Sequence, residues 1–347
     1  MRMTEVRQNK SRKSTRFIVL VFALVLLVGG AWKYKQYQDF LDTPLTIPAQ
    51  GYLLEVNPGF SLNKLAYALE KDGILTSPRY LVLRARFRNN AHVIQAGEYK
   101  LESGLTPDTL LDLLVSGKVT RYSLTLVDGW TFRQFMNAVN SHAALMHTLE
   151  GKTDDSIMEA IGKPGIHPEG RFLPETYQFP KNSRDTELLQ RAYAAMETEL
   201  TRNWEKRDAK LPLKDEYQAL ILASIIEKET ASADEYQKIS GVFIRRLKKG
   251  MLLQTDPTVI YGLGESFDGN LRLRDLKTDT PYNTYTRRGL PPTPIAMPGK
   301  SAIYAAMHPD NSDTLYFVSR GDGTHHFSKT LAEHNRAVAK YQLHRGG

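Results

Sequence analysis

The run from Leu220 to Thr230, LILASIIEKET, ends an apolar stretch in two carboxylates. At about 3.6 residues per helical turn, Leu222, Ile225, Ile226 and Glu229 follow the i, i+3, i+4, i+7 spacing and share one stripe. Glu227 and Lys228 fall on the other side with Ser224, where water is the expected neighbour. A carboxylate on a core-facing stripe is costly unless it is paired or protonated. Keeping the proton means a raised pKa, which is what a general acid requires. Glu229 is therefore the candidate acid, with a structural ion pair as the alternative use of such a residue.

Three further segments carry groups suited to sugars. They run from Glu169 to Tyr177, from Gln254 to Thr258 with Tyr261 beyond, and from Tyr282 to Thr286. Amide, hydroxyl and phenol groups offer the mixed donors and acceptors that hydroxyl and N-acetyl groups need, and aromatic faces stack on pyranose rings. Ordinary turn chemistry is the alternative for each segment taken alone. Glu175 and Asp256 are candidate second carboxylates for a two-acid glycosidase. Other chemistries lack their residues: the chain has no Cys, no Gly-x-Ser-x-Gly elbow, no phosphate loop and no His-Glu-x-x-His pair. His308-Pro309 and His325-His326 lack metal-ligand spacing, so neither a metal nor a cofactor is expected.

These residues need a folded frame, and 347 residues suit two domains plus extensions. From Gly51 to Val127 the chain alternates strand and helix patterns. Tyr52–Val56, 96–101 and Arg121–Val127 read as strands, with Asn57-Pro58-Gly59 turning the chain after the first. Ser61, Ser77-Pro78 and Thr106-Pro107 read as helix starts. The spacing predicts helical segments around Thr131–Leu149 and a capping box at Ser232-Ala233-Asp234-Glu235. That box leads into a helix with Ile239, Val242, Phe243 and Leu247 on its apolar side. Leu290–Pro294 reads as a stiff loop, Thr314–Arg320 as a strand and Leu331–Tyr341 as a closing helix.

Charge separates the N-terminus from the rest. Arg2, Arg7, Lys10, Arg12, Lys13 and Arg16 against Glu5 give the first 16 residues +5 of the chain's +8. The balance left for the folded part is no polyanion-binding surface, so nucleic acid is not an expected partner. Phe17–Trp32 carries no charge, and Trp32, Tyr34 and Tyr37 follow it. A basic flank, an apolar run and aromatics beyond it predict an uncleaved membrane helix with its tail in the cytoplasm and everything after it outside. Gly29-Gly30-Ala31 offers the alternative of a cleaved signal sequence.

Four blocks carry a resemblance. Ser224–Thr230 (SIIEKET), Leu253–Gly262 (LQTDPTVIYG), Tyr282–Tyr285 (YNTY) and Gly289–Pro292 (GLPP) are similar, in this order, to the signature blocks of the endolytic murein transglycosylase (YceG-like) family. The resemblance implies an α+β protein: a single N-terminal transmembrane helix, a small LysM-like module and a lysozyme-like or YceG-type catalytic domain. The implied divisions are a cytoplasmic tail over 1–16, a membrane helix over 17–32, a stalk over 33–48, the module over 49–127 and the catalytic domain over 128–345. The second Glu of the Glu-Lys-Glu block, here Glu229, is implied to be the catalytic acid. Glu229-Thr230 is also similar to the Glu-Ser or Glu-Thr pair of lysozyme-like transglycosylases. Gln254, Asp256, Thr258, Tyr261, Asn283 and Tyr285, with Glu175 and Tyr177, are the expected glycan-binding residues.

The implied reaction cleaves the MurNAc-β-1,4-GlcNAc bond of peptidoglycan strands and leaves 1,6-anhydro-MurNAc ends, at the outer side of the bacterial cytoplasmic membrane. Peptidoglycan synthases are the implied protein partners. Two alternatives use the same residues: a hydrolase in which Glu175 or Asp256 activates water, and a wall-binding scaffold without chemistry.

Overall fold

The computed structural model describes residues 4–343 other than Pro58 and Ala91, with side chains from Phe17 onward. The side chains of the basic tail, Pro58 of the expected turn, and residues 344–345 of the expected catalytic domain lie outside the described residues. Two compact units are present, Met1–Arg121 and Tyr122–Gly347.

In the first unit the apolar run belongs to a long helix, α1 (Thr4–Asp42), of which Phe17–Asp42 is long and apolar enough to cross a membrane. The large side chains of Phe17–Val28 are exposed, as a lipid-facing segment requires. Residues 33–48, expected as a polar stalk, are instead helical as far as Asp42 and partly buried. Helix α1 continues through Lys33 to Asp42, and Phe40, Leu41 and Leu45 are buried in the core of this unit. Tyr37 and Phe40 each pack against Tyr80 at 5.6 Å between ring centroids. The apolar residues among the charges of 33–48 are what the core captures.

The rest of the unit runs β1 (Tyr52–Val56), α2 (Leu62–Lys71), α3 (Pro78–Phe87), β2 (Gly97–Leu101) and α4 (Pro107–Ser116). Strands β1 and β2 pair antiparallel, with Leu54 opposite Tyr99. Ser61 caps α2 by accepting from Lys64 N, and Thr106 and Thr109 close a capping box on α4. Ser77 makes no side-chain cap, although Pro78 opens α3.

The second unit runs β3 (Arg121–Thr125), α5 (Phe132–Asn140), β4 (Leu145–Met146), α6 (Asp154–Ala160), β5 (Thr176–Pro180), β6 (Ser183–Arg184) and α7 (Asp185–Glu205). It continues with α8 (Glu216–Glu229), α9 (Tyr236–Lys248), α10 (Asp256–Leu263), α11 (Leu273–Lys277) and α12 (Lys300–Met307). The hairpin β7 (Tyr316–Ser319) and β8 (His325–Ser328) and the helix α13 (Leu331–Tyr341) close it. Strand β3 pairs with β5, so its residues belong with this unit. The helical pattern expected to reach Leu149 stops at Asn140, where the chain turns to form β4 beside β6.

Helix α8 is the centre of this unit, packed by α7, α9, α10 and α12. Every residue from Ala219 to Ile226 is buried. This corrects the two-sided reading: a helix apolar nearly all round is covered all round. Ser224, expected to face water, is fully buried; its Oγ donates to Ile221 O at 2.7 Å and accepts from Ile295 N at 3.0 Å. The expected capping box at Ser232–Glu235 does not form. Those residues make a short 3-10 turn, and Glu235 instead accepts from His325 N and pairs with His325 Nδ1 at 2.7 Å.

Ser224→Ala should leave the buried Ile295 N–H without an acceptor, at a cost of about 1–3 kcal/mol. The expected outcome is a lower melting temperature for the full chain in detergent, read by scanning calorimetry, with the circular dichroism at low temperature unchanged.

Candidate active site

Glu229 is the last residue of α8, where unpaired helix carbonyls disfavour a nearby negative charge. It sits partly exposed in a cavity of about 560 Å³ that it shares with Arg246, Gln254, Asp256 and Tyr285. Dense packing around it removes water and pushes the carboxyl up to about 7. The Thr255 hydroxyl donates to Glu229 Oε1 and pulls the other way; the charge of Asp256 adds to the rise and that of Arg246 opposes it. The result is a carboxyl that keeps its proton near neutrality and can still ionise.

The segment before α10 alternates in burial: Gln254 and Asp256 are exposed, whereas Thr255 is buried. Asp256 therefore belongs to a helix start rather than to the expected loop, as the first residue of α10. Gln254 adopts φ 51°, a left-handed conformation that a side chain disfavours, and its N–H is held by Thr284 O at 3.1 Å. Three buried threonines fix this turn. Thr255 N donates to Thr284 Oγ1 at 3.1 Å, Thr258 Oγ1 donates to Thr255 O at 2.8 Å, and the hydroxyls of Thr258 and Thr284 meet at 2.9 Å. Tyr285 donates its hydroxyl to Asp256 at 2.5 Å, which aligns the phenol along the cavity.

The expected binding residues separate into three groups. Gln254, Asp256 and Tyr285 gather around Glu229. Thr258 and Asn283 are fully buried and build the loops, so neither meets a ligand. Asn283 Nδ2 donates to Thr278 O at 2.6 Å and Leu276 O at 3.1 Å, and its Oδ1 accepts from Tyr285 N at 2.8 Å. A short amide satisfies several backbone groups at once, which is why it is drawn inside.

Tyr261, Glu175 and Tyr177 do not line this cavity. Tyr177 belongs to the core and donates to Leu173 O at 2.7 Å, and Glu175 is paired with Lys300. Tyr261 lines a neighbouring cavity of about 700 Å³ and donates to Glu169 Oε2 at 3.0 Å. Burial pushes Glu169 up to about 7 against its hydrogen bonds from Tyr261 and the backbone N–H groups of Phe132 and Gly170. Glu227, expected on the solvent side, is also drawn in: it accepts from Tyr236 Oη at 3.0 Å and Gly299 N at 2.9 Å.

Thr255 and Glu169 fall within the expected sugar-binding segments without being singled out there, and Arg246 is not among the expected residues. Arg246 was legible, because Ile239, Val242, Phe243 and Arg246 repeat the i, i+3, i+4, i+7 spacing that selected Glu229. Its guanidinium is buried, donates to Leu315 O at 2.8 Å and Leu253 O at 2.7 Å, and lies 5.1 Å from the Tyr316 ring centroid. It thus joins the turn before α10 to the hairpin.

A mixed α+β unit thus carries, at the end of its central helix, a carboxyl raised toward neutrality in an open cleft, a candidate acid–base site. Comparison with known proteins gives the family. The profile of the YceG-like family matches residues 54–340. A Bacillus subtilis protein named endolytic murein transglycosylase is 32% identical over 91% of this chain and 91% of its own length. A Streptococcus pneumoniae protein of the same name is 27% identical over 93% of this chain, which spans 64% of that longer relative. The crystal structure of a YceG-like protein from Listeria monocytogenes matches 83% of this chain and 99% of its own, with 29% identity and a TM-score of 0.52. The chain belongs to the YceG-like family.

A carboxyl raised to about 7 from its ordinary 4.5 binds its proton more tightly folded than unfolded. Its contribution to stability is full below pH 4.5 and is lost as pH rises through 7. Glu229→Gln removes that dependence while leaving an acceptor for Thr255. The variant should melt close to the wild type at pH 4 and several degrees above it at pH 8. A gap that stays constant across this range would contradict the raised pKa.

Proposed function

We propose that this protein is an endolytic murein transglycosylase, cleaving peptidoglycan glycan strands at the MurNAc-β-1,4-GlcNAc bond with Glu229 as its acid and base. The observation that carries this reading is the placement of Glu229 at an open cavity, with its carboxyl pushed up to about 7 by desolvation, in a chain of the YceG-like family. The Bacillus subtilis and Streptococcus pneumoniae relatives bear that activity in their names.

The reaction follows from one carboxyl acting twice. Glu229 gives its proton to the glycosidic oxygen as the bond from that oxygen to C1 breaks. The resulting carboxylate takes the proton of the muramyl 6-hydroxyl, whose oxygen closes on C1 to give the 1,6-anhydro ring. No water is consumed and Glu229 ends as it began, so a second carboxylate is not obligatory. The Thr255 hydroxyl leaves the proton to the other carboxyl oxygen and stabilises the carboxylate between the two half-steps. Gln254, Asp256 and Tyr285 position the sugars.

Phe17–Asp42 is read as an uncleaved anchor with the catalytic unit outside the cytoplasm, next to strands made at the membrane. The β1–α4 module is read as a LysM-like element that captures glycan without performing chemistry. Peptidoglycan synthases are the proposed neighbours.

Full-length Glu229→Gln should lose at least about 10²-fold in the rate of anhydro-muramyl product formation, measured by mass spectrometry of digested wall, because the amide has no proton to give. Glu227→Gln should stay near wild type, since an amide can serve both Gly299 N–H and Tyr236 Oη. Reducing ends in place of anhydro ends would replace the proposed reaction by hydrolysis, with Asp256 as the water-activating base.

Thr255→Val removes a hydrogen bond that favours ionised Glu229. The acid should then stay protonated to higher pH. The alkaline limb of kcat/KM should move up from about 7, and the second half-step should slow. An alkaline limb that stays in place would dissociate Thr255 from the acid.

A further inference from the structure

The cavity that holds Glu229 has an opposite wall, to which α13 contributes Leu331, His334, Asn335, Val338 and Gln342. Their spacing, i, i+3, i+4, i+7, i+11, is one face of a helix. Such a face ordinarily packs into a core, yet the buried residue of α13 is Ala337, which lies off this stripe. Leu331 and Asn335 are exposed toward the opening. Helix α13 rests on the hairpin β7–β8, where His334 stacks on Tyr316 at 5.2 Å between centroids. Tyr316 in turn lies against the Arg246 guanidinium, whose charge acts on Glu229. A continuous lining therefore leads from the catalytic carboxyl through Arg246 and Tyr316 to α13. His334 Nδ1 is buried without a hydrogen-bond partner among the described residues, so the ring meets the cavity through its other edge, which carries Nε2.

The chemistry of the stripe narrows the occupant. It holds two amides, an imidazole and two aliphatic side chains, with no acidic residue, lysine or arginine. An amide presents a donor and an acceptor side by side, which is the complement of an acetamido group. Leucine and valine suit its methyl group and the apolar face of a pyranose ring.

We propose that this face of α13 is the second wall of the glycan cleft, with Asn335 and His334 hydrogen-bonding an N-acetylated sugar that lies across Glu229 and Leu331 and Val338 packing on it. The proposal rests on the glycan-cleaving reading and makes these specificity-determining residues, selecting N-acetylated over de-N-acetylated sugar. A glucosamine ammonium offers donors alone and leaves the amide N–H groups unanswered.

The test is calorimetric titration of the full chain in detergent, in a Glu229→Gln background, with the tetramers of N-acetylglucosamine and of glucosamine. Asn335→Ala and His334→Ala should each weaken binding of the acetylated tetramer about 3- to 10-fold, the range of one net hydrogen bond. Asn335→Asp, of the same shape with acceptors alone, should shift preference toward the glucosamine tetramer, an effect that misfolding cannot imitate. Arg336→Ala, exposed and off the stripe, should change neither affinity. Unaltered binding and preference in all three stripe variants would overturn the proposal while leaving the activity intact. Failure of the wild type to form any anhydro product would overturn the function itself, and this inference with it.

Discussion

The complete burial of α8 is the constraint on which the second unit depends. With Ala219–Ile226 covered on every face, the helix can neither rotate nor slide without opening the core. Its polar residues consequently become fixed attachment points. Ser224 holds Ile295, Glu227 holds Gly299 and Tyr236, Lys228 donates to Gly129 O at 3.2 Å, and Glu229 receives Thr255. Three segments distant in sequence, around Gly129, Thr255 and Ile295–Gly299, are thereby placed around one helix end, and the Glu229 carboxyl is placed with them. Gly170 belongs to the same assembly: a side chain there would come within 2.5 Å of Pro294, so glycine is needed where the two loops meet.

The cavity beside Glu229 rests on a buried polar network rather than on apolar packing alone. The hydroxyls of Thr258 and Thr284 bond each other and the backbone of Thr255, the Thr255 hydroxyl serves Glu229, and the amide of Asn283 serves backbone groups on both sides of its loop. A network with all its members paired is rigid, because moving one member leaves others unsatisfied at low dielectric. That rigidity holds Gln254 in its left-handed conformation and keeps Asp256 and Tyr285 at the cavity rim. At Glu229, desolvation by the surrounding packing raises the carboxyl toward 7, and the Thr255 hydroxyl limits the rise.

In the first unit, the apolar N-terminal helix and the folded module are one piece. Helix α1 runs without interruption to Asp42, and its end supplies Phe40 and Leu41 to the core around Tyr80, Leu81 and Leu110. A helix that enters a core transmits orientation, whereas a flexible stalk would transmit only distance. The module's orientation relative to α1 is therefore set by packing.

The sequence by itself determined what depends on local rules. Helix starts at Ser61 and Thr106, the strands around Tyr52–Val56 and Gly97–Leu101, the apolar N-terminal helix and the candidate acid Glu229 all follow from spacing and capping chemistry between near neighbours. Tertiary structure decided which polar residues face outward. Ser224 and Glu227 occupy the side of α8 that a two-sided pattern assigns to water, but α9, α12 and the 290s loop cover it. Asn283 and Thr258 carry sugar-binding chemistry by type, yet they serve the backbone instead. The same functional groups satisfy a ligand or a loop, and only the packing of distant segments settles which. Helix α13 shows the converse. Its amphipathic spacing was legible, whereas the placement of one face on the Glu229 cavity depends on a hairpin that the spacing does not describe.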